Sequence, residues 1–177
     1  GVTGQGDGGD DWWPCKDHPS DEPDEGMSIA LTVPSDLVGL TNGKRISEEK
    51  NADGTTTSRW EVTYPINNYL VSVNIAPYVP IEATYKGIDG TLDEKILFWA
   101  LPEHEEKARA MWKQAPKMLE VLGRRFGEYP FLRDKYWVVE TPYLGMEHQT
   151  IVAYGADFED NKFGFDSLLL HETAHEW

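Results

Sequence analysis

His171-Glu172-Thr173-Ala174-His175-Glu176-Trp177 closes the sequence and spells H-E-x-x-H. On a helix, residues four apart lie one turn apart on the same face, so both imidazoles can reach one ion. Neutral imidazole suits zinc, at about 2.0–2.1 Å per bond. Glu172, next to the first ligand, then lies beside the metal and can take a proton from a zinc-bound water as that water attacks a carbonyl. The motif needs a helix, and the residues before it supply one. Asp166 or Ser167 can cap it, and Leu168, Leu169 and Leu170 give it an apolar side. The plain alternative is a helix surface that carries His and Glu by chance. A catalytic zinc also wants three protein ligands and an open position, and only two are visible here.

Upstream of this helix the pattern is mixed. Tyr136 to Glu140 and Thr150 to Tyr154 read as strands, separated by Leu144-Gly145-Met146-Glu147-His148-Gln149. Phe158 to Gly164 reads as a polar loop. Further back, Ala108, Met111, Trp112, Ala115, Met118, Leu119 and Leu122 recur at three and four residues, an amphipathic helical stripe that packs a core. Pro116 either kinks the stripe or opens a second helix, and Gly123 is expected to end it. The hydrophobic period switches from 2 to 3.6 near Leu101-Pro102, so the chain is expected to divide into residues 1–100 and 101–177.

Before that switch the signals are those of strands. Ile29 to Val33, Leu37 to Leu40, Lys44 to Glu48, Thr55 to Tyr64, Leu70 to Ala76, Ile81 to Tyr85 and Glu94 to Ala100 are short and β-prone, with turns between them. Thr41-Asn42-Gly43 reads as a hairpin turn, because Asn-Gly accommodates positive φ. This spacing predicts an antiparallel sheet or sandwich with no reactive constellation. Trp12-Trp13-Pro14-Cys15-Lys16-Asp17-His18-Pro19 reads as an aromatic knot closed by prolines. His18 in it reads as a structural turn residue, with metal ligation as the lesser alternative. Ser20 to Gly26 is an acidic turn without EF-hand register.

Composition bounds the function. The 177 residues carry a net charge of −15, which argues against nucleic acid or an anionic membrane surface as partner. A hydrophobic content of 40% with 7 Trp, 8 Tyr and 6 Phe suffices for a packed core. No apolar run approaches the roughly 20 residues of a membrane span. The single Cys15 excludes an internal disulfide. The sequence begins without Met and stops inside a helix, so it is expected to be a fragment, and missing targeting signals assign no compartment.

Taken together these residues show a resemblance. Gly145-Met146-Glu147, about two dozen residues before the H-E-x-x-H, resembles the zinc aminopeptidase family of aminopeptidase N and the leukotriene epoxide hydrolase, gluzincins with G-x-M-E-N ahead of H-E-x-x-H. Trp13-Pro14-Cys15-Lys16-Asp17-His18-Pro19 is similar to that family's aromatic-Pro-Cys-x-Asp-x-Pro segment. Phe126-Gly127-Glu128-Tyr129-Pro130-Phe131 resembles its F-G-x-Y-P-F, and Gln5 lies upstream of Pro14, where the family carries a Gln near the substrate's amino end. The match runs over essentially the whole sequence.

The resemblance implies an α+β fold: the C-terminal part of an antiparallel β-sandwich-like N-terminal domain, then the truncated start of a thermolysin-like catalytic domain. It implies that His171 and His175 bind Zn2+, that Glu172 is the general base, and that Glu147, helped by Gln5, holds the free α-amine of a peptide substrate. Gly145 and Met146 would present backbone to that peptide along an edge strand. The implied activity is removal of N-terminal residues from peptides. Alternatives are an epoxide hydrolase or bifunctional relative on the same scaffold, or a non-catalytic binding domain, which the intact Glu172 speaks against. His148 departs from the family's Asn. The third zinc ligand, a Glu, and the oxyanion Tyr are implied to lie beyond Trp177, so the 177 residues alone are expected to be inactive.

Overall fold

The computed structural model describes residues 2–3 and 9–177, and within them eleven strands and three α-helices. In chain order these are β1 (Val2–Thr3), β2 (Met27–Pro34), β3 (Val38–Thr41), β4 (Lys44–Lys50), β5 (Thr55–Val62), β6 (Val73–Ala76), β7 (Val79–Tyr85), β8 (Glu94–Ala100), α1 (Glu105–Trp112), α2 (Ala115–Phe126), β9 (Trp137–Glu140), β10 (Gly145–Met146), β11 (Ile151–Tyr154) and α3 (Ser167–Ala174). The fold is α+β, with three sheets.

Two sheets are small and antiparallel, with strand orders β1-β6-β3 and β2-β5-β4. The third has five strands in the order β10-β11-β9-β8-β7. Its centre is parallel, β8 to β9 and β9 to β11, and its two outer pairs are antiparallel. A parallel step needs a crossover, and α1 and α2 supply the one from β8 to β9.

This large sheet is buried on both faces. Ile96 and Phe98 of β8, Val138 of β9 and Val152 of β11 join Met111, Trp112, Leu119 and Leu169 from the three helices. The alternate residues Leu97, Trp99, Val139 and Ile151 face the other way, onto Leu40, Trp60 and Tyr78. A strand buried on both sides reads as a continuous apolar run rather than an alternation, and Ile96 to Ala100 does so. The sheet also runs across residue 101, where the period switch was expected to divide the chain, because β7 and β8 pair with each other and β8 pairs with β9. The period changes there because the chain leaves the sheet for the helices that cover it.

Three local expectations are corrected. Thr41-Asn42-Gly43 is not a hairpin turn: β3 pairs with β6 and β4 with β5, so this Asn-Gly carries the chain from one sheet to another. Gly43 has φ +75°, and a Cβ there would stand 2.3 Å from the Glu61 carbonyl oxygen, so the glycine is required by the crossing itself. Gly123 does not end its helix. It is buried inside α2, where a Cβ would meet Ile88 Cγ2 at 2.6 Å, and the helix ends at Gly127 with φ +102°. Finally, only Val73–Ala76 of the expected strand from Leu70 pairs as a strand, since Asn68–Leu70 forms a 3-10 turn capped by Asn67. Pro116 opens α2.

Candidate metal centre

Helix α3 is set by its cap and its buried side. The Asp166 carboxylate accepts from Leu169 N at 2.9 Å and from the Tyr154 hydroxyl at 2.5 Å. Thr173 donates to the Leu169 carbonyl at 2.5 Å and shares a 2.6 Å hydrogen bond with the Tyr136 hydroxyl. With Leu169 and Thr173 facing inward, His171 and His175 stand exposed on the outer side. His175 lies just past the last helical residue but keeps helical backbone, φ −65° and ψ −19°, so the i, i+4 geometry holds. The two Nε2 atoms are 3.2 Å apart and the rings are nearly perpendicular, at 84°.

Glu172 is buried, with a carboxylate oxygen within 4.8 Å of a ring nitrogen of each histidine. It lies against Gly145: a Cβ on that residue would stand 2.4 Å from Glu172 Oε1 and 2.9 Å from Leu168 Cδ1. Burial pushes the Glu172 carboxyl up from its ordinary value, and nearby Glu147 adds to the rise, while His171 and His175 pull it down. A carboxylate held at raised basicity beside two imidazoles can accept a proton from water.

Gly145 and Met146 form β10, the edge strand of the large sheet, paired on its inner side with Tyr154 and Ala153. Glu147 follows directly, is half-buried, and accepts a hydrogen bond from the Tyr69 hydroxyl at 3.3 Å. His148 is fully buried, and its Nδ1 has no hydrogen-bond partner. Burial holds its pKa down at about 4, so the ring is neutral. The structure thus brings His171, Glu172 and His175 together with Gly145, and puts Glu147 close enough to act on Glu172 electrostatically. Gln5 lies outside the described residues.

Several residues that the sequence did not connect with the site hold this arrangement. Glu176 is buried at the end of α3, accepting from the Tyr129 hydroxyl at 2.5 Å and from Thr150 N at 3.1 and 3.2 Å. Burial raises its pKa to about 7. Thr150 sits in the left-handed region, φ +66°, which costs a β-branched residue about 1–2 kcal/mol and marks a position held by its surroundings. Its hydroxyl accepts from Gly43 N at 2.9 Å. Asn42 donates to the Leu70 and Gln149 carbonyls at 2.9 and 2.6 Å and accepts from Ser72 N at 2.8 Å. Lys135, fully buried, donates to the carbonyls of Thr41 and Gly43 and lies 4.9 and 5.1 Å from the rings of Trp60 and Trp137. Of these, the sequence marked Asn42, but as part of a hairpin turn rather than as a buried tie between loops.

The donor set fits zinc. Two ligands of one tetrahedral ion at about 2.0–2.1 Å stand about 3.3 Å apart, and the two Nε2 atoms are 3.2 Å apart. Among the described residues, His171, Glu172 and His175 are the one group of three potential ligands close enough to share an ion. A cavity of about 660 Å³ lies elsewhere, lined by Tyr78, Leu101, His104, Glu140 and Asp157, and includes none of these residues. No described helix is long and apolar enough to cross a membrane.

The sequence matches no protein-family model and no curated protein. Its fold matches solved structures. An M1 zinc metallopeptidase from Deinococcus radiodurans superposes with a TM-score of 0.70 at 23% identity, over 94% of this chain and 36% of that one. A mutant of that enzyme bound to a Tyr-Ser-Ala substrate gives 0.71 at 23% identity, over 94% and 36%. A two-domain M1 zinc metallopeptidase mutant bound to L-arginine gives 0.70 at 22% identity, again over 94% and 36%. At this identity the likeness establishes a shared fold, and the chain spans about a third of those proteins' length.

Proposed function

We propose that this chain is part of a zinc aminopeptidase. The observation that carries the reading is the placing of Glu172, buried under the edge strand at Gly145 and flanked by two imidazoles with ligand spacing. His171 and His175 hold the metal, which when bound supplies Lewis acidity at its open position. Glu172 takes the proton of the attacking water and passes it to the leaving amine. The edge of β10 offers Gly145 and Met146 backbone groups to an extended peptide. Glu147 pairs with the substrate's free ammonium, and its fixed place one residue along sets where the chain is cut. A carboxylate from outside the His171, Glu172 and His175 group completes the ligand set, and Gln5 assists Glu147.

We further propose that the N-terminal unit has a β-sandwich-like character, and that the thermolysin-like catalytic unit begins with β7, at the edge of the sheet that carries the site. An epoxide hydrolase would use the same Glu172 and Glu147, so substrate alone separates the two. The test is a Glu172→Gln variant of the whole protein, assayed on an aminoacyl amide and on a small epoxide. Loss of amide hydrolysis by at least about 10³-fold with zinc content unchanged is expected. Retained hydrolysis would sink the reading, and turnover of the epoxide alone would replace it.

A further inference from the structure

We propose that Tyr69 is a positioning residue for Glu147, and that the Trp13–Pro19 knot exists to hold it there. This inference rests on the aminopeptidase reading. It starts from two features that the reading leaves unused: the knot, and the hydrogen bond that Tyr69 makes to the Glu147 carboxylate.

Tyr69 sits in the middle of the Asn68–Leu70 turn, and that turn is tied down from several directions. Asn67 Oδ1 accepts from Tyr69 N at 3.4 Å, and Asn67 Nδ2 donates to the Pro19 carbonyl at 2.6 Å. Buried Asn68 donates to the Lys16 carbonyl at 2.5 Å, and its own carbonyl accepts from the Trp13 indole at 3.3 Å. Gly9 packs so close that a Cβ there would meet the Asn68 carbonyl oxygen at 2.6 Å. On the far side, Asn42 holds the Leu70 carbonyl. A three-residue turn with this many external ties is a rigid mount, and the side chain it presents is Tyr69, whose hydroxyl reaches Glu147 Oε1.

The chemistry of the contact suits an amine anchor. A carboxylate that is to bind a substrate ammonium must be fixed in direction yet keep its negative charge. An Arg or Lys in this place would neutralise it and compete with the substrate. A phenol donates one hydrogen bond, occupies one oxygen, and leaves the second free. Burial and the Glu147 charge both push the Tyr69 hydroxyl up from its ordinary value, so it stays protonated and donating.

The test uses the whole protein and two substrates, an aminoacyl anilide and its N-acetylated counterpart. Tyr69→Phe is expected to raise KM for the free-amine substrate about 5–20-fold, less than a hydrogen bond to a fully buried charge because Tyr69 is partly exposed, with kcat within about 2-fold. The slow hydrolysis of the acetylated substrate should not change. Asn67→Ala, a milder change outside the turn's buried residue, should raise the same KM and add nothing further in the Tyr69→Phe background. An unchanged KM in Tyr69→Phe would overturn the inference. So would an equal rise for both substrates, which marks a structural defect, or a fall in kcat alone, which would put Tyr69 in the chemical step. Failure of the underlying reading shows differently: Glu147→Gln would then leave the preference for the free amine intact, and the inference would fall with it.

Discussion

Gly145 and Glu172 are in such close approach that residue 145 has no room for a side chain: a Cβ there would stand 2.4 Å from Glu172 Oε1. The glycine has no positive φ to explain it. Its lack of a Cβ is what lets the edge strand lie on the carboxylate, and so ties β10 to α3. The atom that would be struck first is the far end of a flexible side chain. Gly145→Ala is therefore expected to displace Glu172 rather than unfold the chain. Thermal unfolding should shift by less than about 1 kcal/mol equivalent, while kcat falls about 10²-fold, as for an error of about 1 Å in a reacting group. A large loss of stability with normal activity per folded molecule would contradict this.

Asn42 should be one of the most sensitive positions outside the site. Removing its amide leaves the Leu70 and Gln149 carbonyls and Ser72 N without their partner in a region closed to water. Asn42→Ala is expected to cost about 2–4 kcal/mol in urea unfolding. Asn42→Asp should cost at least as much, since a carboxylate would face two carbonyl oxygens.

Glu176 joins the end of α3 to the loop that follows Glu147. Glu176→Ala strands Thr150 N and takes the neighbouring carboxylate from buried Lys135, while the Tyr129 hydroxyl keeps the Lys135 carbonyl at 2.9 Å, and the change is expected to destabilise by about 2–4 kcal/mol. Glu176→Gln keeps an acceptor for Thr150 and should recover more than half of that loss. Equal losses in the two variants would show that charge, not hydrogen bonding, is what matters there.

His148 predicts a pH dependence. Its folded pKa is held near 4 by burial, against an ordinary value of 6.5. Between those values the unfolded chain takes up a proton that the folded chain does not. Its contribution is therefore fully present above pH 6.5 and is lost as pH falls toward 4, by up to about 3 kcal/mol. Urea unfolding of His148→Asn should show a flatter dependence across that window. An unchanged slope would mean the ring is protonated in the folded protein.

Zinc titration of the 177-residue chain by calorimetry should show weak binding through two imidazoles, abolished in His171→Ala. Tight binding of one ion would mean that Glu172 or a neighbouring chain supplies a third ligand, and would overturn the ligand set proposed above.

Much of the site was legible because its parts are local. Two histidines one turn apart, an acidic neighbour and an N-cap are all encoded within a dozen residues, and helix geometry alone brings the two Nε2 atoms to 3.2 Å. Most strands were legible for the same reason, with Pro116 at a helix start. The glycines were not. Gly123 looks like a stop signal, yet it lies inside α2 because Ile88, far away in sequence, presses against it. Asn42-Gly43 looks like a hairpin because the local dipeptide preference is the same for any turn of positive φ, whether or not the flanking strands pair.

The sequence by itself determined the histidine pair one turn apart, its adjacent carboxylate and the alternation of strands and helices, since each follows from spacing along one element. Only the tertiary structure decided that β10 closes over Glu172, that Tyr69 meets Glu147, and that Asn42, Lys135, Thr150 and Glu176 lock the loops around them. Those contacts join residues tens of positions apart. What selects them is the demand that each buried polar group find a partner, and that demand has no period in the chain from which it could be read.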